Sequence, residues 1–468
     1  MSIKVYNTLS GKKEEFTPQR PNEVSLYVCG VTPYDSVHLG HARAYVVFDI
    51  IKRHLIRRGY KVKHVQNFTD VDDKIINKAI SQKVSPSEIS KKFIDDYFEQ
   101  TGKLNILRAC VYPLVTKNIP EIINFIKILV DKGFAYVKDG DVYYSVAKFS
   151  GYGKLSKRNL QDLRSGARVG INEDKASYFD FALWKKTKDG EHMDVSWDSP
   201  WGKGRPGWHI ECSAMSSSFL GDVIDIHGGG LDLIFPHHEN EIAQSEAASG
   251  KTFVKYWIHN GFVTINKEKM SKSLDNFFTL KDIFEKYDPR VVRYYLLTQH
   301  YKSPLDFSDE GLNAAKNSLQ GLDDAYLRLA AKTKSVPNDP DAIDVSDEGL
   351  TALENNFLSV LDDDFNSEKA LSYLHELKNI ILNKLAVAQS ARLLRLKKLF
   401  EGMLENSLGI LTPQANANED IEDLLKRRNE ARKDKNWTEA DRLRKLIEEK
   451  GYKIVDDKNG SSVLTKKI

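Results

Sequence analysis

Several things are scarce in this chain, and each scarcity excludes a class of protein. Its three cysteines, Cys29, Cys110 and Cys212, lie far apart in 468 residues, so no disulfide framework is expected. Neither charge dominates: 69 basic residues stand against 66 acidic ones, a net of +3. A protein that grips nucleic acid indiscriminately is usually far more basic, so any basic surface must be local. No apolar run approaches the ~18 residues of a membrane-spanning helix. The opening M-S-I-K-V-Y-N lacks the charged-then-apolar pattern of a secretory leader. These scarcities point to a cytoplasmic protein with no membrane partner. The length predicts about three domains.

The densest stretch is Thr32-Pro33-Tyr34-Asp35-Ser36-Val37-His38-Leu39-Gly40-His41, just after Cys29. Val24–Cys29 alternates and is rich in β-branched and aromatic residues, which predicts a strand. From residue 42 to about 58, apolar residues recur at three- and four-residue steps, which predicts a helix. Lys61–Phe68 then reads as a second strand. Strand, helix, strand in this order predicts a parallel βαβ unit with its ligand beyond the carboxyl ends of the strands. His38 and His41 therefore bracket Gly40 where the helix begins. Unpaired N–H groups and the positive dipole end make that turn a natural seat for phosphate. Taken alone, the pair reads equally well as two surface histidines.

In Thr69-Asp70-Val71-Asp72-Asp73-Lys74, Thr69 or Asp70 is expected to cap a helix. Its carboxylates suit either a solvated helix start or a metal. Helices are expected over 86–104 and 119–132, with short strands near 134–137 and 142–145. The region from about 115 to 205 is rich in loops. Trp201–Ser216 leads into a helix bearing Cys212. The strand Val223–Ile226 runs into His227-Gly228-Gly229-Gly230-Leu231-Asp232, where glycines allow close backbone approach to a ligand. In Phe235-Pro236-His237-His238-Glu239-Asn240-Glu241, His237 and Glu241 share one helix face at i and i+4. They suit an exposed pair or two ligands of one zinc. Spacing leaves open whether the cysteines, 183 residues apart, meet them. A strand at 253–258 precedes Lys269-Met270-Ser271-Lys272-Ser273, and helices are expected at 279–287 and 289–299. Helical periodicity fills 309–330 and 347–410. A polar linker, Thr412–Asp420, leads to a mixed-charge helix pair and a β-hairpin.

The His38–His41 turn and the Lys269–Ser273 run together resemble the HIGH and KMSKS signatures of class I aminoacyl-tRNA synthetases, with Leu39 in place of isoleucine. C-G-V-T-P-Y-D, G-W-H-I-E-C-S-A-M, H-G-G-G-x-D-L-x-F-P-H-H-E-N-E and K-M-S-K-S are similar to cysteinyl-tRNA synthetases over most of residues 1–310. The resemblance implies an α/β architecture. A Rossmann-like parallel-sheet catalytic domain would span 1–305, with a connective insertion at about 115–205. An α-helical bundle (306–411) and a small α+β anticodon-binding module (412–468) would follow. It implies zinc on Cys29, Cys212, His237 and Glu241. Cys110 matches no ligand position and is expected to be a small buried residue. His38, His41, Lys269 and Lys272 would be catalytic, and ATP with magnesium would meet Gly40, His41, Gly229, Asp232 and Lys272. Thr69, Trp208 and His227 would wall the amino-acid pocket.

The implied partners are L-cysteine, ATP and tRNA(Cys), bound by a monomer. Arg427, Arg428, Arg432, Lys433 and Trp437 are the expected RNA contacts, through phosphate pairing and base stacking. The metal has a physical purpose, because an apolar pocket separates near-isosteres by only roughly 10–200-fold. A zinc with thiolate ligands prefers sulfur over a hydroxyl, which makes editing unnecessary. A ligase joining cysteine to an amino-sugar would share the zinc site. The roughly 160 residues after Asp306 argue for RNA instead. A silent RNA-binding copy would have no need of both signatures.

Overall fold

The computed structural model describes every residue except 1, 159–174, 176, 189–192, 266–267, 270–277, 335, 337–346, 386–387, 414–418, 457–461 and 467–468. Four strands form its central sheet: β1 (Glu23–Val28), β2 (Lys61–Gln66), β3 (Ile224–Gly230) and β4 (Val254–Asn260). Their order is β4-β3-β1-β2, and every pairing is parallel. The crossover from β1 to β2 is α1 (Leu39–Arg57). On the other face lie α2 (Trp208–Leu220) and α3 (Glu239–Ser249). This is the doubly covered parallel sheet of the α/β class.

Period-two alternation in β1 decides which side chain meets which helix. Leu26 and Val28 pack with Val46, Ile50 and Ile51 of α1. Tyr27 and Cys29 point the other way, into the layer of Cys212 and Ile242. The register sets Val28 beside Gly228, so Cys29 leaves the sheet at the carboxyl end, level with the glycines of β3. Gly30 follows because nothing larger fits: a Cβ there would lie 1.4 Å from the Asn67 carbonyl oxygen.

The region expected to be loop-rich contains regular structure. Helix 119–131 is followed by an antiparallel sheet of strands 135–138, 141–144, 181–186 and 204–206. Helices 309–333, 348–362, 367–384 and 390–401 form the bundle, and their apolar faces join the α1 core. Helices 419–433 and 437–449 and the antiparallel hairpin 452–456/462–466 complete the chain. Two local expectations are corrected. Helix 73–82 is capped by Asp72, whose side chain accepts the Lys74 N–H, rather than by Thr69 or Asp70. Cys110 is exposed, because the turn that carries it runs outside β2. Among the described residues no helix is long and apolar enough to cross a membrane.

Candidate active site and metal centre

His38 is the N-cap of α1, and the cap is reciprocal. Its Nδ1 accepts the His41 N–H at 3.3 Å, while His41 Nδ1 accepts the His38 N–H at 3.4 Å. The rings stack with centroids 3.5 Å apart. With both Nδ1 atoms accepting, each imidazole carries its proton on Nε2. The turn lines a cavity of about 460 Å³ at the carboxyl ends of the strands, with Cys29, Gly40, Trp208, Gly229 and Asp232 also on its wall. Lys269 pairs with Thr264 in a short antiparallel ladder, and Thr279 bridges to His38. On either side of residues 270–277, Lys269 is thus tied to the strand that begins at the cavity-lining Val263, and Thr279 to His38. Met270–Ser273, including Lys272, lies outside the described residues.

Behind the cavity, four donors that spacing could not join come together. Cys29, Cys212, His237 and Glu241 are all buried, with one ligand atom from each within 4.8 Å of the others. The sulfurs are 4.0 Å apart, Cys29 Sγ is 3.7 Å from Glu241 Oε1, and that oxygen is 3.0 Å from His237 Nε2. A tetrahedral zinc with ~2.3 Å bonds to sulfur gives edges of about 3.8 Å between sulfurs, so the donor set fits. Glu241 and His237 reach this point because they are one helical turn apart on α3 and its lead-in. Cys212 comes from α2, and Cys29 from the end of β1.

Partners outside the quartet hold it. His227 Nε2 lies 2.8 Å from Glu241 Oε2, and His237 Nδ1 lies 2.9 Å from His209 Nδ1. His238 Nε2 is 3.3 Å from Cys29 Sγ, and its Nδ1 is 2.8 Å from His259 Nε2. Burial raises the Glu241 carboxyl, yet His227 and His237 hold it down to about 2. Burial lowers His237, but Glu241 and Cys212 push it up to about 10. The cysteines divide the roles: burial raises Cys29, and the hydrogen bond from Cys29 brings Cys212 down to about 6. Burial keeps His209, His238 and His259 neutral.

Not every expected wall residue lies on the wall. Trp208 does, 41 % exposed and stacked 4.3 Å from the His237 ring. His227 is fully buried behind Glu241, and Thr69 is buried with its hydroxyl donating to Glu211 at 2.8 Å. Sequence reasoning passed over His209, Glu211, His238 and His259. Three of them lay inside quoted motifs, one position from a proposed ligand or wall residue. In the C-terminal module, Arg427, Lys433 and Trp437 are exposed. Arg428 is buried and forked onto Asp456 at 2.6 and 2.7 Å, with Arg432 at 2.8 Å from the same carboxylate. Those two arginines fasten the hairpin to its helix.

The fold is that of a class I tRNA synthetase. Residues 15–317 match the family described as tRNA synthetases class I (C) catalytic domain. The structure is similar to a leucyl-tRNA synthetase of Agrobacterium radiobacter K84 in complex with tRNA and LeuAMS. The TM-score there is 0.61 at 12% identity, covering 84% of each chain. It is also similar to a Mycobacterium tuberculosis methionyl-tRNA synthetase in complex with methionyl-adenylate, with TM-score 0.60 at 16% identity, covering 83% of this chain and 92% of that one.

Sequence relatives narrow the class. A cysteine--tRNA ligase of Endomicrobium trichonymphae is 68% identical across 100% of both chains, and one of Geobacter sp. strain M21 is 49% identical across 99% of both. Residues 356–412 match the DALR domain, and residues 416–462 match the cysteinyl-tRNA ligase anticodon binding domain. The chain belongs to the cysteine--tRNA ligase family.

Proposed function

We propose that the protein activates L-cysteine with ATP and transfers it to the 3′-terminal ribose of tRNA(Cys). The observation that carries this reading is the convergence of two thiols, an imidazole and a carboxylate directly behind the phosphate-binding turn of α1. In the first step a carboxylate oxygen of cysteine attacks the α-phosphorus of ATP. The bond to the β-phosphate oxygen breaks, and pyrophosphate leaves cysteinyl-adenylate. In the second step a ribose hydroxyl attacks the acyl carbon, and AMP leaves. No covalent enzyme intermediate is needed, because the site works by positioning and charge stabilisation.

Each group has a part in this. His38 and His41, protonated on Nε2, donate to the polyphosphate as its charge builds, beside the positive end of α1. Lys269 and Lys272 clamp the same phosphates, with magnesium accompanying ATP. Gly40, Gly229 and Asp232 shape the nucleotide side of the cavity, and Trp208 covers the amino-acid side. Cys29, Cys212, His237 and Glu241 would hold zinc, which supplies a soft Lewis-acid seat that favours a substrate thiolate over a serine hydroxyl. His227 orients Glu241 for that task. The domains divide the work, with catalysis in 1–305, the bundle in 306–411 and anticodon recognition in 412–468.

Pyrophosphate exchange into ATP tests the first step, and charging of tRNA tests the second. The reading expects exchange with cysteine and transfer to tRNA. Exchange followed by transfer to an amino-sugar and not to tRNA would favour the related ligase. Absence of exchange in the zinc-loaded protein would leave only a silent RNA-binding copy.

A further inference from the structure

Helix α1 carries the signature histidines at one end and a cluster of charged residues at the other. Its 19 residues span roughly 28 Å. Just past its middle, buried Asp49 accepts from Arg53 Nε at 2.7 Å, from the Leu107 N–H at 2.8 Å and from Arg293. Arg53 and Arg293 donate onward to the carbonyls of Glu405 and Leu408, at 3.1 and 2.8 Å, where the bundle closes. His54 Nε2 lies 2.9 Å from Asp362 Oδ1, and Arg58 Nε donates to the same oxygen at 2.8 Å. Gly409 completes the fit at φ +64°, since a Cβ there would lie 2.2 Å from Arg293 Nη2.

An apolar seam tolerates sliding, but this joint does not. Charge-assisted hydrogen bonds have narrow geometry, and leaving any one of them unmade in a buried site is costly. Helix α1 therefore holds the bundle at one angle to the turn that carries His38 and His41. Adenylation requires only ATP and cysteine in the cavity. Transfer also requires the ribose of a tRNA gripped far away.

We propose that His54, Asp362 and the Asp49–Arg53–Arg293 cluster are positioning residues for the transfer step, acting through α1 to set the tRNA-holding half against the signature histidines. This rests on the synthetase reading above. The test uses the full-length chain with His54→Gln, Asp362→Asn and Gly409→Ala, which disturb the joint by different routes. The expected result is cysteine-dependent pyrophosphate exchange within about twofold of the wild type, with kcat for tRNA charging lowered by roughly ten- to a hundredfold. KM for tRNA should change little, because the anticodon module is untouched, and intact exchange certifies folding. A parallel fall in exchange and charging would mean that the joint only stabilises the fold, and would overturn the proposal. Unchanged charging in all three variants would overturn it too. A wild-type chain without exchange or charging would instead overturn the synthetase reading.

Discussion

His227 Nε2 lies 2.8 Å from Glu241 Oε2, while His237 Nε2 lies 3.0 Å from Glu241 Oε1, so the two imidazoles grip opposite oxygens of one buried carboxylate. The carboxylate is thereby fixed with one oxygen turned toward the thiols of Cys29 and Cys212. Outer partners of this kind typically set metal affinity by 10–100-fold, so His227→Ala should weaken zinc binding by about that factor. Competition with a chromophoric chelator measures it directly. Unchanged affinity would mean that Glu241 is held by its helix alone.

A second expectation concerns the RNA-binding end. Arg428 and Asp456 form a forked pair with Arg428 buried, so Arg428→Ala should cost about 1–3 kcal/mol of local stability. Its effect on tRNA binding would follow from that loss. Trp437 is 59 % exposed, and Trp437→Ala should leave thermal unfolding unchanged while weakening tRNA binding by about 1–3 kcal/mol, the worth of one stacked base. Melting curves and tRNA titrations on both variants separate the roles.

The contrast between these arginines shows what the sequence could and could not convey. Strand β1 and helix α1 were legible because periodicities of two and 3.6 are written locally. The Cys29–Cys212–His237–Glu241 quartet was legible only by resemblance, since Cys29 ends β1 and Cys212 lies on α2, and only the packing of that helix on the sheet brings them together, which no local pattern encodes. Arg428 and Arg427 are neighbours of one residue type on one helix, yet one is buried and the other exposed. Only the hairpin carrying Asp456 separates them. Two strands of the antiparallel sheet were legible near 134–137 and 142–145, but its other two, 181–186 and 204–206, were not, because they are short and set among glycines and turns.

His64 offers a test of pH dependence away from the metal centre. Burial, helped by the nearby charge of Lys52, lowers its imidazole to about 3, and neither ring nitrogen has a hydrogen-bond partner. The folded state keeps it neutral, while the unfolded chain takes up a proton below about pH 6.5. Stability should therefore fall as pH drops from 6.5 toward 3, by roughly 1.4 kcal/mol per pH unit from this group. Urea melts of wild type and His64→Leu at pH 7.5, 6.5 and 5.5 check the sign. The variant should gain on the wild type as pH falls, and a constant difference would contradict the assignment.

If the buried quartet selects cysteine through a bound zinc, selection must depend on the metal. The most direct measurement is pyrophosphate exchange with cysteine and with serine, on zinc-loaded, stripped and reloaded protein whose metal content is measured alongside. The expected result is about one zinc per chain and a preference for cysteine well beyond the roughly 200-fold of an apolar pocket. Exchange should vanish on stripping and return with zinc. Comparable exchange with serine, or full cysteine exchange without metal, would contradict it.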